Sequence, residues 1–301
     1  MISVILCTHN PREDVLARTL EGLKQQTLNP ILWEFLLIDN ASSVALRDTV
    51  LPESLPSARI ISEFKLGLTQ ARLRGIHESQ GELLIFVDDD NVLHSDYLEN
   101  ALDVYYQHPE IGAFGGAIKA VFSEEPPAWS QPYWYLLAVR DTSKNCLSMH
   151  YGNTKAEPCG AGLCVRREVA EKYSRYLKKD PVRLRLDRAG DSLSSAGDMD
   201  LVYTAFDLGY GIGRFPTLSL DHLIPPSRLT ESYFIRIFEA MNYSGTILKQ
   251  IRGYPIAEGS FSLTRMMRRW KRFIVSSSLD RRMMMAECRG KKRALTDWQQ
   301  R

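Results

Sequence analysis

An apolar run that ends in three consecutive aspartates constrains this chain more than any other feature. Every residue from Leu83 to Val87 is apolar, and Asp88, Asp89 and Asp90 follow directly. Such a run is typical of a strand buried on both faces of a parallel sheet. Unpaired neighbouring carboxylates repel one another and are costly to bury, a cost that a divalent cation with oxygen ligands removes. Because ligands of open α/β sheets bind beyond the carboxyl ends of strands, the position favours a metal and ligand site over a solvated acidic turn.

Strands and helices alternate through the first 110 residues, which predicts a parallel sheet with right-handed crossovers. Three predicted strands end in polar clusters, namely Thr8-His9-Asn10, Asp39-Asn40 and Asp88-Asp89-Asp90. We expect these clusters to meet along one edge of the sheet. Asn10 and Asp39 each have a structural alternative, because either side chain can cap the helix or turn that follows it.

The second half of the chain is less regular. The segment 123–135 is rich in proline and aromatic residues, which predicts an ordered loop or a short irregular segment. Its aromatic residues include Trp129 and Trp134, and aromatic side chains more often fill a core than bind a ligand. Asp198 lies at a predicted helix start, where the helix dipole favours an ionised carboxylate.

Composition indicates an ordinary globular protein, with 44% apolar and 25% charged residues in 301. The five cysteines show no paired metal-ligand spacing, which favours a reducing compartment without a disulfide framework. We find no signal peptide and no apolar run long enough to span a bilayer. The expected location is therefore cytoplasmic.

The charge is distributed unevenly along the chain. Residues 264–301 carry twelve Lys and Arg against three acidic residues, so this segment has a net charge of +9 and the rest −7. From residue 263 to residue 274, basic side chains alternate with apolar ones at helical spacing, and the apolar residues are Leu263, Met266, Met267, Trp270, Phe273 and Ile274. This pattern predicts a basic amphipathic helix that binds an anionic membrane surface. The alternative is a helix that packs its apolar face on the body of the protein.

Several other functions lack their sequence signals. No Gly-x-Gly-x-x-Gly follows the first strand, which argues against a dinucleotide fold, and no Walker-type lysine loop occurs. A sugar nucleotidyltransferase would share the sheet and the acids but would need an early glycine-rich phosphate loop. A nucleic-acid-binding protein could use the basic tail, but the acidic body offers no broad positive face, so no nucleic-acid partner is expected.

The ordered set of motifs resembles glycosyltransferase family 2, whose members have the GT-A fold. The resemblance covers roughly residues 1–230 and rests on these motifs: Ser-Val-Ile-Leu-Cys-Thr-His-Asn (3–10), Leu-Leu-Ile-Asp-Asn-Ala-Ser-Ser (36–43), Ala-Arg-Leu-Arg-Gly-Ile (71–76), Ile-Phe-Val-Asp-Asp-Asp (85–90), Gly-Ala-Gly-Leu-Cys-Val-Arg-Arg (160–167), Gly-Asp-Met-Asp-Leu (197–201) and Asp-His (221–222).

The resemblance implies a role for each matching residue. Nucleotide-sugar contacts are implied for Thr8, Asn10, Asp39, Arg72, Asp88 and Asp89. Metal binding is implied for Asp88 and Asp90, the ends of the Asp-x-Asp motif, and for His222. Asp198 matches the catalytic base of inverting members. Gly197 stands where many members have Glu, which leaves Asp200 open as a competing base or acceptor contact. Trp129 and Trp134 are candidates for stacking on the acceptor sugar.

These observations predict an α/β protein with a three-layer, GT-A-like architecture, a mainly parallel central sheet and C-terminal helices. We expect a nucleotide-sugar-binding half (1–110), an acceptor half (111–230) and a basic helical extension (231–301). The expected reaction moves a sugar from a nucleotide-diphosphate sugar to an acceptor hydroxyl with inversion, assisted by Mn²⁺ or Mg²⁺. The acceptor could be a glycan, a lipid-linked sugar or a small molecule.

Overall fold

A single mixed sheet forms the centre of the protein. The computed structural model describes residues 1–46, 55–254 and 277–300. The strands within these residues are β1 (Ile2–Thr8), β2 (Trp33–Asn40), β3 (Arg59–Glu63), β4 (Leu83–Asp88), β5 (Asn91–Leu93), β6 (Ile111–Phe122), β7 (Cys146–Ser148), β8 (Leu163–Arg166) and β9 (Gly211–Ile224).

The strand order is β3-β2-β1-β4-β8-β6-β9-β5, with β7 paired to β9. The strands β1 to β4 run parallel, as the alternation of strands and helices predicts. The short strand β8 is antiparallel to both of its neighbours, β4 and β6, so the sheet changes direction there. Thr8 pairs with Asp39, and Cys7 with Asp88. The predicted meeting of the three polar strand ends at one edge is therefore confirmed.

Helices cover both faces of the sheet. They are α1 (Glu13–Lys24), α2 (Leu68–Glu78), α3 (Tyr97–Gln107), α4 (Arg167–Lys179), α5 (Gly197–Tyr203), α6 (Glu231–Ile251) and α7 (Ser278–Gln299). Side chains alternate along β1, so Val4 and Leu6 join the core under α1 and α3, whereas Ile5 joins the core under α2, α4 and α5. The predicted three-layer α/β fold with C-terminal helices is confirmed.

The helices α6 and α7 pack against each other beside the sheet. Gly290 permits their close approach, because an added Cβ there would lie 2.3 Å from the Glu239 carbonyl oxygen. The start of α6 contributes Phe234 and Ile237 to a third apolar cluster, to which α7 adds Met283. Of the helices in the described ranges, none has the length and apolar character needed to cross a bilayer. The division at residues 110 and 230 stays a prediction.

Two local expectations at the sequence level were wrong. Helix α1 begins at Glu13 with Arg12 as its N-cap, and no side chain caps it. Asn10 instead has a φ of 49°, and its amide oxygen accepts hydrogen bonds from the backbone and hydroxyl of Ser43. The aromatic segment expected to be a loop contains a 3₁₀ helix, Ala128–Leu137. The predicted amphipathic segment, 263–274, lies outside the described residues.

Candidate active site

A cavity of about 730 Å³ opens at the edge where the parallel strands end. The three aspartates after β4 line one part of it, together with Thr8 and His9 from the end of β1. Asp198 at the start of α5 lines another part. The cavity therefore joins the two groups of acids that lie about 110 residues apart in the sequence, and it has the volume of a ligand pocket.

The three consecutive aspartates lie in different electrostatic surroundings. Burial raises the pKa of Asp88, and the charge of Asp90 raises it further, while Arg72 opposes the rise. Burial and the neighbouring charge of Asp90 raise the pKa of Asp89 to about 6. The Asp89 carboxylate accepts a short hydrogen bond from the Thr8 hydroxyl. This bond ties the first and fourth strands together at the cavity.

Asp90 is the aspartate that already has cationic and imidazole partners. Its Oδ2 lies 3.0 Å from Nη1 of Arg228 and 3.4 Å from Nε2 of His222. Burial alone would raise the pKa of Asp90, but His222 and Arg228 hold it well below its usual range. The Nδ1 of His222 lies 2.9 Å from the carbonyl oxygen of Leu137. Because a carbonyl only accepts, Nδ1 carries the proton and directs Nε2 towards Asp90.

This arrangement fits part of a metal site. A metal-binding histidine usually donates its other N–H to a carbonyl or carboxylate, as His222 does. In residues 1–46, 55–254 and 277–300, no three or more His, Cys, Asp or Glu side chains are grouped so as to hold a metal ion. Asp90 and His222 would hold such an ion only with further ligands, and Mg²⁺ sites often take these from substrate phosphates.

Arg72 crosses the floor of the cavity from helix α2. Its Nη1 donates to Oδ2 of Asp187 at 2.7 Å, and both side chains are almost fully buried. Burial opposes its charge, but Asp187, Asp198 and Asp88 together raise the pKa of the arginine. Burial raises the pKa of Asp187 to about 6, against the effect of Arg72. Arg72 therefore joins the acids after β4 to the acid at α5.

Asp198 has a defined orientation at the start of α5. Its Oδ2 accepts a hydrogen bond of 3.0 Å from the backbone of Gly160, and its Oδ1 accepts one of 2.8 Å from the backbone of Met199. A Cβ at position 160 would lie 2.8 Å from Arg72 Nη2 and 3.1 Å from Asp198 Oδ2. The glycine thus allows these two charged groups to lie close together at the cavity wall.

Asp200 has a different environment and does not line the cavity. Its side chain is fully buried, and its carboxylate lies 2.6 Å from Arg183 and 2.7 Å from Arg252. A carboxylate that two arginines hold in the core is poorly placed to accept a proton from a substrate. This geometry disfavours Asp200 as the competing base or as an acceptor contact.

The predicted site residues at the ends of β1 and β2 hydrogen-bond to other parts of the protein. Thr8 lines the cavity and is bound to Asp89. Asn10 lies beside it but is exposed and binds the Ser43 turn. Asp39 is buried, and its carboxylate accepts hydrogen bonds from the backbone N–H groups of Ser42 and Leu46. The turn-capping alternative for Asp39 is thus realised, and its nucleotide contact stays a prediction.

The predicted acceptor tryptophans pack away from the cavity. Trp129 contacts Phe234 edge to face, and Trp134 lies against Phe122. Both are half-buried members of the third apolar cluster. The same segment contributes Tyr135 to the cavity wall instead. The geometry gives Trp129 and Trp134 no contact with the candidate site.

Sequence reasoning missed several cavity residues. Asp187 and Arg188 lie in an irregular connector, and Arg228 follows β9 in a short 3₁₀ helix. Asn40 was noted only as a neighbour of Asp39, yet its amide oxygen accepts from the Gly67 backbone and so positions the start of α2. The signal that could have pointed to Asp187, Arg188 and Arg228 was their charge, since they are charged residues in segments without a periodic pattern.

Comparison with known proteins identifies the family. The family model described as "Glycosyl transferase family 2" matches residues 3–173. This chain belongs to that family. The resemblance drawn from the motifs is therefore confirmed.

Individual relatives match over shorter stretches. An uncharacterized glycosyltransferase of Haemophilus influenzae is 32% identical over 114 residues, 37% of this chain and 36% of that protein. Polypeptide N-acetylgalactosaminyltransferase 5 of Caenorhabditis elegans is 31% identical over 36% of this chain and 18% of its own length. The glucosyl-dolichyl phosphate glucuronosyltransferase of Haloferax volcanii is 22% identical over 46% of this chain and 45% of its own length. The matched part spans less than half of each relative.

Solved structures share the fold. Staphylococcus aureus TarS 1–349 has a TM-score of 0.54 with 15% identity, over 97% of this chain and 80% of TarS 1–349. The same fragment in complex with UDP-GlcNAc gives a TM-score of 0.53 with 14% identity, over 95% of this chain and 79% of that one. The GT-A-like fold expected from the sequence is confirmed.

Proposed function

We propose that this glycosyltransferase moves a sugar from a nucleotide-diphosphate sugar to an acceptor hydroxyl with inversion at the anomeric carbon. The observation that carries the proposal is the shared cavity, because the aspartates after β4 and Asp198 on α5 line the same space. A donor bound at the aspartates would place its reacting carbon within the cavity that Asp198 also faces. The buried Arg72 between them adds a fixed positive charge for the leaving diphosphate.

Asp198 is the proposed general base. The acceptor oxygen forms a bond to the anomeric carbon while the bond from that carbon to the diphosphate oxygen breaks. The acceptor's proton passes to Asp198, and the nucleotide diphosphate leaves with the bonding electron pair. One base on the face opposite the leaving group is sufficient for a single displacement, which inverts the anomeric centre. Such help is worth about 10²- to 10⁴-fold.

Asp90 and His222 are the proposed protein ligands of Mn²⁺ or Mg²⁺, with Asp88 beside them. When bound, such a cation would act as a Lewis acid that stabilises the charge of the leaving diphosphate. Arg188 lines the same cavity, and its guanidinium makes no hydrogen bond or ion pair with the residues that the structure describes. We therefore add it to the proposed diphosphate contacts.

The comparisons suggest which substrates to try first. TarS was solved with UDP-GlcNAc, so uridine diphosphate sugars head the panel of donors. The Haloferax volcanii relative is named for a lipid-linked substrate, so lipid-linked acceptors come before free sugars. An anionic membrane surface as a further partner rests on the basic sequence of residues 264–301.

Ligand-induced thermal stabilisation tests the donor class. We expect one nucleotide diphosphate to raise the melting temperature in the presence of Mn²⁺ or Mg²⁺, because a ligand at a hundred times its Kd adds about 2.7 kcal/mol to the unfolding free energy. Asp90→Asn should abolish the metal-dependent part of the shift. Asp103→Asn, on the exposed face of α3, is the matched control and should keep it. A panel of uridine, guanosine, thymidine and cytidine diphosphates that produces no shift with either metal would contradict the proposal.

A further inference from the structure

We propose that Arg228 is an internal counter-ion that takes the place of the metal at Asp90 and His222 until cation and donor bind together. This inference rests on the proposed function above, since it concerns the same metal and donor. It predicts that the divalent cation binds weakly to the protein alone, and that Arg228 leaves the pair when the metal–nucleotide complex arrives.

The contacts of Arg228 put it in direct competition with a metal. Its Nη1 lies 3.0 Å from Oδ2 of Asp90 and 3.2 Å from Nε2 of His222. Nε2 of His222 also lies 3.4 Å from Oδ2 of Asp90, so the guanidinium occupies the space in front of the two atoms that a metal ion would bind. His222 can therefore serve Arg228 or a metal, but not both.

The charges explain why a counter-ion is needed here. Asp90 is 9% exposed, and a buried carboxylate without a partner is strongly destabilising. Arg228 removes that cost in the absence of metal. A divalent cation that binds alone would have to displace Arg228 from Asp90, and it would leave the guanidinium close to the doubly charged ion. A diphosphate brings negative charge with the metal, so joint binding avoids that repulsion.

The position of Arg228 allows the exchange. It lies in the 3₁₀ helix Pro226–Arg228 between β9 and α6, and its side chain is 23% exposed at the cavity wall. Asp90, in contrast, is fixed by the backbone of Leu223 and by the amide of Asn91. The long arginine side chain is thus the partner that turns away, and from the cavity wall its guanidinium can reach the incoming diphosphate.

Direct measurement of Mn²⁺ binding to the full-length protein tests the proposal without an activity assay. Free Mn²⁺ is followed by electron paramagnetic resonance, with and without the nucleotide diphosphate identified by thermal shift. Without nucleotide, we expect Arg228→Met to bind Mn²⁺ about tenfold or more tightly than the wild type, because a hydrogen bond to a charged group no longer has to be broken. With nucleotide, the difference should fall below about threefold on the same reasoning, because the diphosphate then accompanies the ion.

Two further variants separate the specific exchange from general electrostatics. Arg140→Met removes the same charge from the same cavity, where Arg140 binds the carbonyl oxygens of Tyr135 and Val139 and not Asp90, and it should bind Mn²⁺ like the wild type. Arg228→Lys retains a cation beside Asp90 and should keep Mn²⁺ binding weak. If Arg228→Met fails to fold, Arg228→Gln takes its place and should also bind Mn²⁺ more tightly than the wild type. Arg228→Lys is then the comparison, because it should bind Mn²⁺ as weakly as the wild type.

The outcomes distinguish this inference from the proposed function. If the wild type and Arg228→Met bind Mn²⁺ equally well without nucleotide, the counter-ion role is wrong while the metal site stands. An equal gain in Arg140→Met also overturns it, because the effect would then be one of net charge. If no variant binds Mn²⁺ even with nucleotide, both the inference and the metal-dependent part of the proposed function fail.

Discussion

Asp198 and Asp200 are two residues apart on the same short helix, but their surroundings differ completely. Positions i and i+2 point to different sides of a helix. One carboxylate therefore faces the cavity and is held by two backbone N–H groups, whereas the other is buried between Arg183 and Arg252. The sequence motif left open which of the two is the base, and the environments of the two side chains favour Asp198.

Asp198→Asn should lower turnover by about 10²- to 10⁴-fold, because the amide cannot accept the acceptor's proton. The melting temperature should fall only slightly and the affinity for the nucleotide diphosphate should change little, since the amide oxygen can still accept one of the two backbone hydrogen bonds, from Gly160 or from Met199. Turnover is measured as release of nucleotide diphosphate from the donor. Turnover close to that of the wild type would show that another group is the base.

Asp200→Asn should instead act on stability. It leaves two buried arginines without their carboxylate, and breaking such a network costs about 3–5 kcal/mol of unfolding free energy. Urea denaturation measures this loss. A variant as stable as the wild type, but without turnover, would reverse the roles assigned to Asp198 and Asp200.

Cys7 should be chemically inert although it lines the cavity. Burial raises the pKa of its thiol to about 12, and nearby aspartates add to the rise against the effect of Arg72. At pH 8 only about one thiol in 10⁴ would be ionised, and the thiolate is the reactive form. Iodoacetamide labelling followed by peptide mass spectrometry should therefore modify the exposed Cys288 long before Cys7. Comparable labelling rates would mean that solvent reaches the thiol of Cys7 freely.

At the scale of elements, contacts from the C-terminal helices support α5, the helix that carries Asp198. Arg252, just after α6, donates to the side chain and backbone of Asp200 and to the Thr204 hydroxyl, all in or next to α5. Helix α7 in turn packs along α6, with Gly290 against the Glu239 carbonyl. The helix that carries Asp198 is therefore held by a chain of contacts that reaches α7.

Two glycine substitutions test this packing. Gly290→Ala should lower the unfolding free energy by about 1–3 kcal/mol, because the new Cβ would lie 2.3 Å from a backbone oxygen and force the helices apart. Gly245→Ala, in α6 with nothing within 4 Å of its Cβ position, is the matched control. It should raise stability by up to about 1 kcal/mol through helix propensity. Stabilisation in both variants would show that α7 does not pack closely on α6.

Periodic segments were the predictable part of this structure. Buried strands such as Leu83–Asp88 and the amphipathic helix Glu231–Ile251 follow from residue patterns that depend only on local spacing. The partners Arg228 and Asp187 come from irregular segments, and their places depend on contacts with residues more than 100 positions away. Local spacing carries no information about such contacts. The Asn10 cap failed for a similar reason, since Ser43 from another loop binds its side chain.

At the scale of the whole molecule, charge separates the chain into an acidic body and a basic end. The net charges are −7 and +9 for residues 1–263 and 264–301. A segment of this charge is attracted to anionic lipid headgroups, by about 1 kcal/mol for each basic residue near the surface. If the proposed function is right, this attraction would bring the enzyme close to lipid-linked acceptors.

Sedimentation with vesicles tests this attraction. The full-length protein should pellet with phosphatidylserine-containing vesicles in low salt and remain in the supernatant in 0.5 M salt, because salt screens surface charge, with a Debye length of about 10 Å at 0.1 M. Changing Arg265, Arg268 and Arg269 to Gln should weaken vesicle binding by about 100-fold. The matched control changes Arg175, Lys178 and Lys179 on α4 to Gln and should bind like the wild type. Equal loss in both variants would mean that only the total charge matters.

The long strand β9 also has a consequence for synthesis on the ribosome. It pairs with β5, β6 and β7, and it supplies His222, with Arg228 following just after it. Translation proceeds at about 5–20 residues per second, so roughly ten seconds separate the appearance of the three aspartates from that of their partners. Until β9 has been made, β6 lacks its partner along one edge, and Asp90 lacks both His222 and Arg228. The same chain segment therefore covers this edge of the sheet and completes the candidate site, so neither can form before about residue 228 has been made.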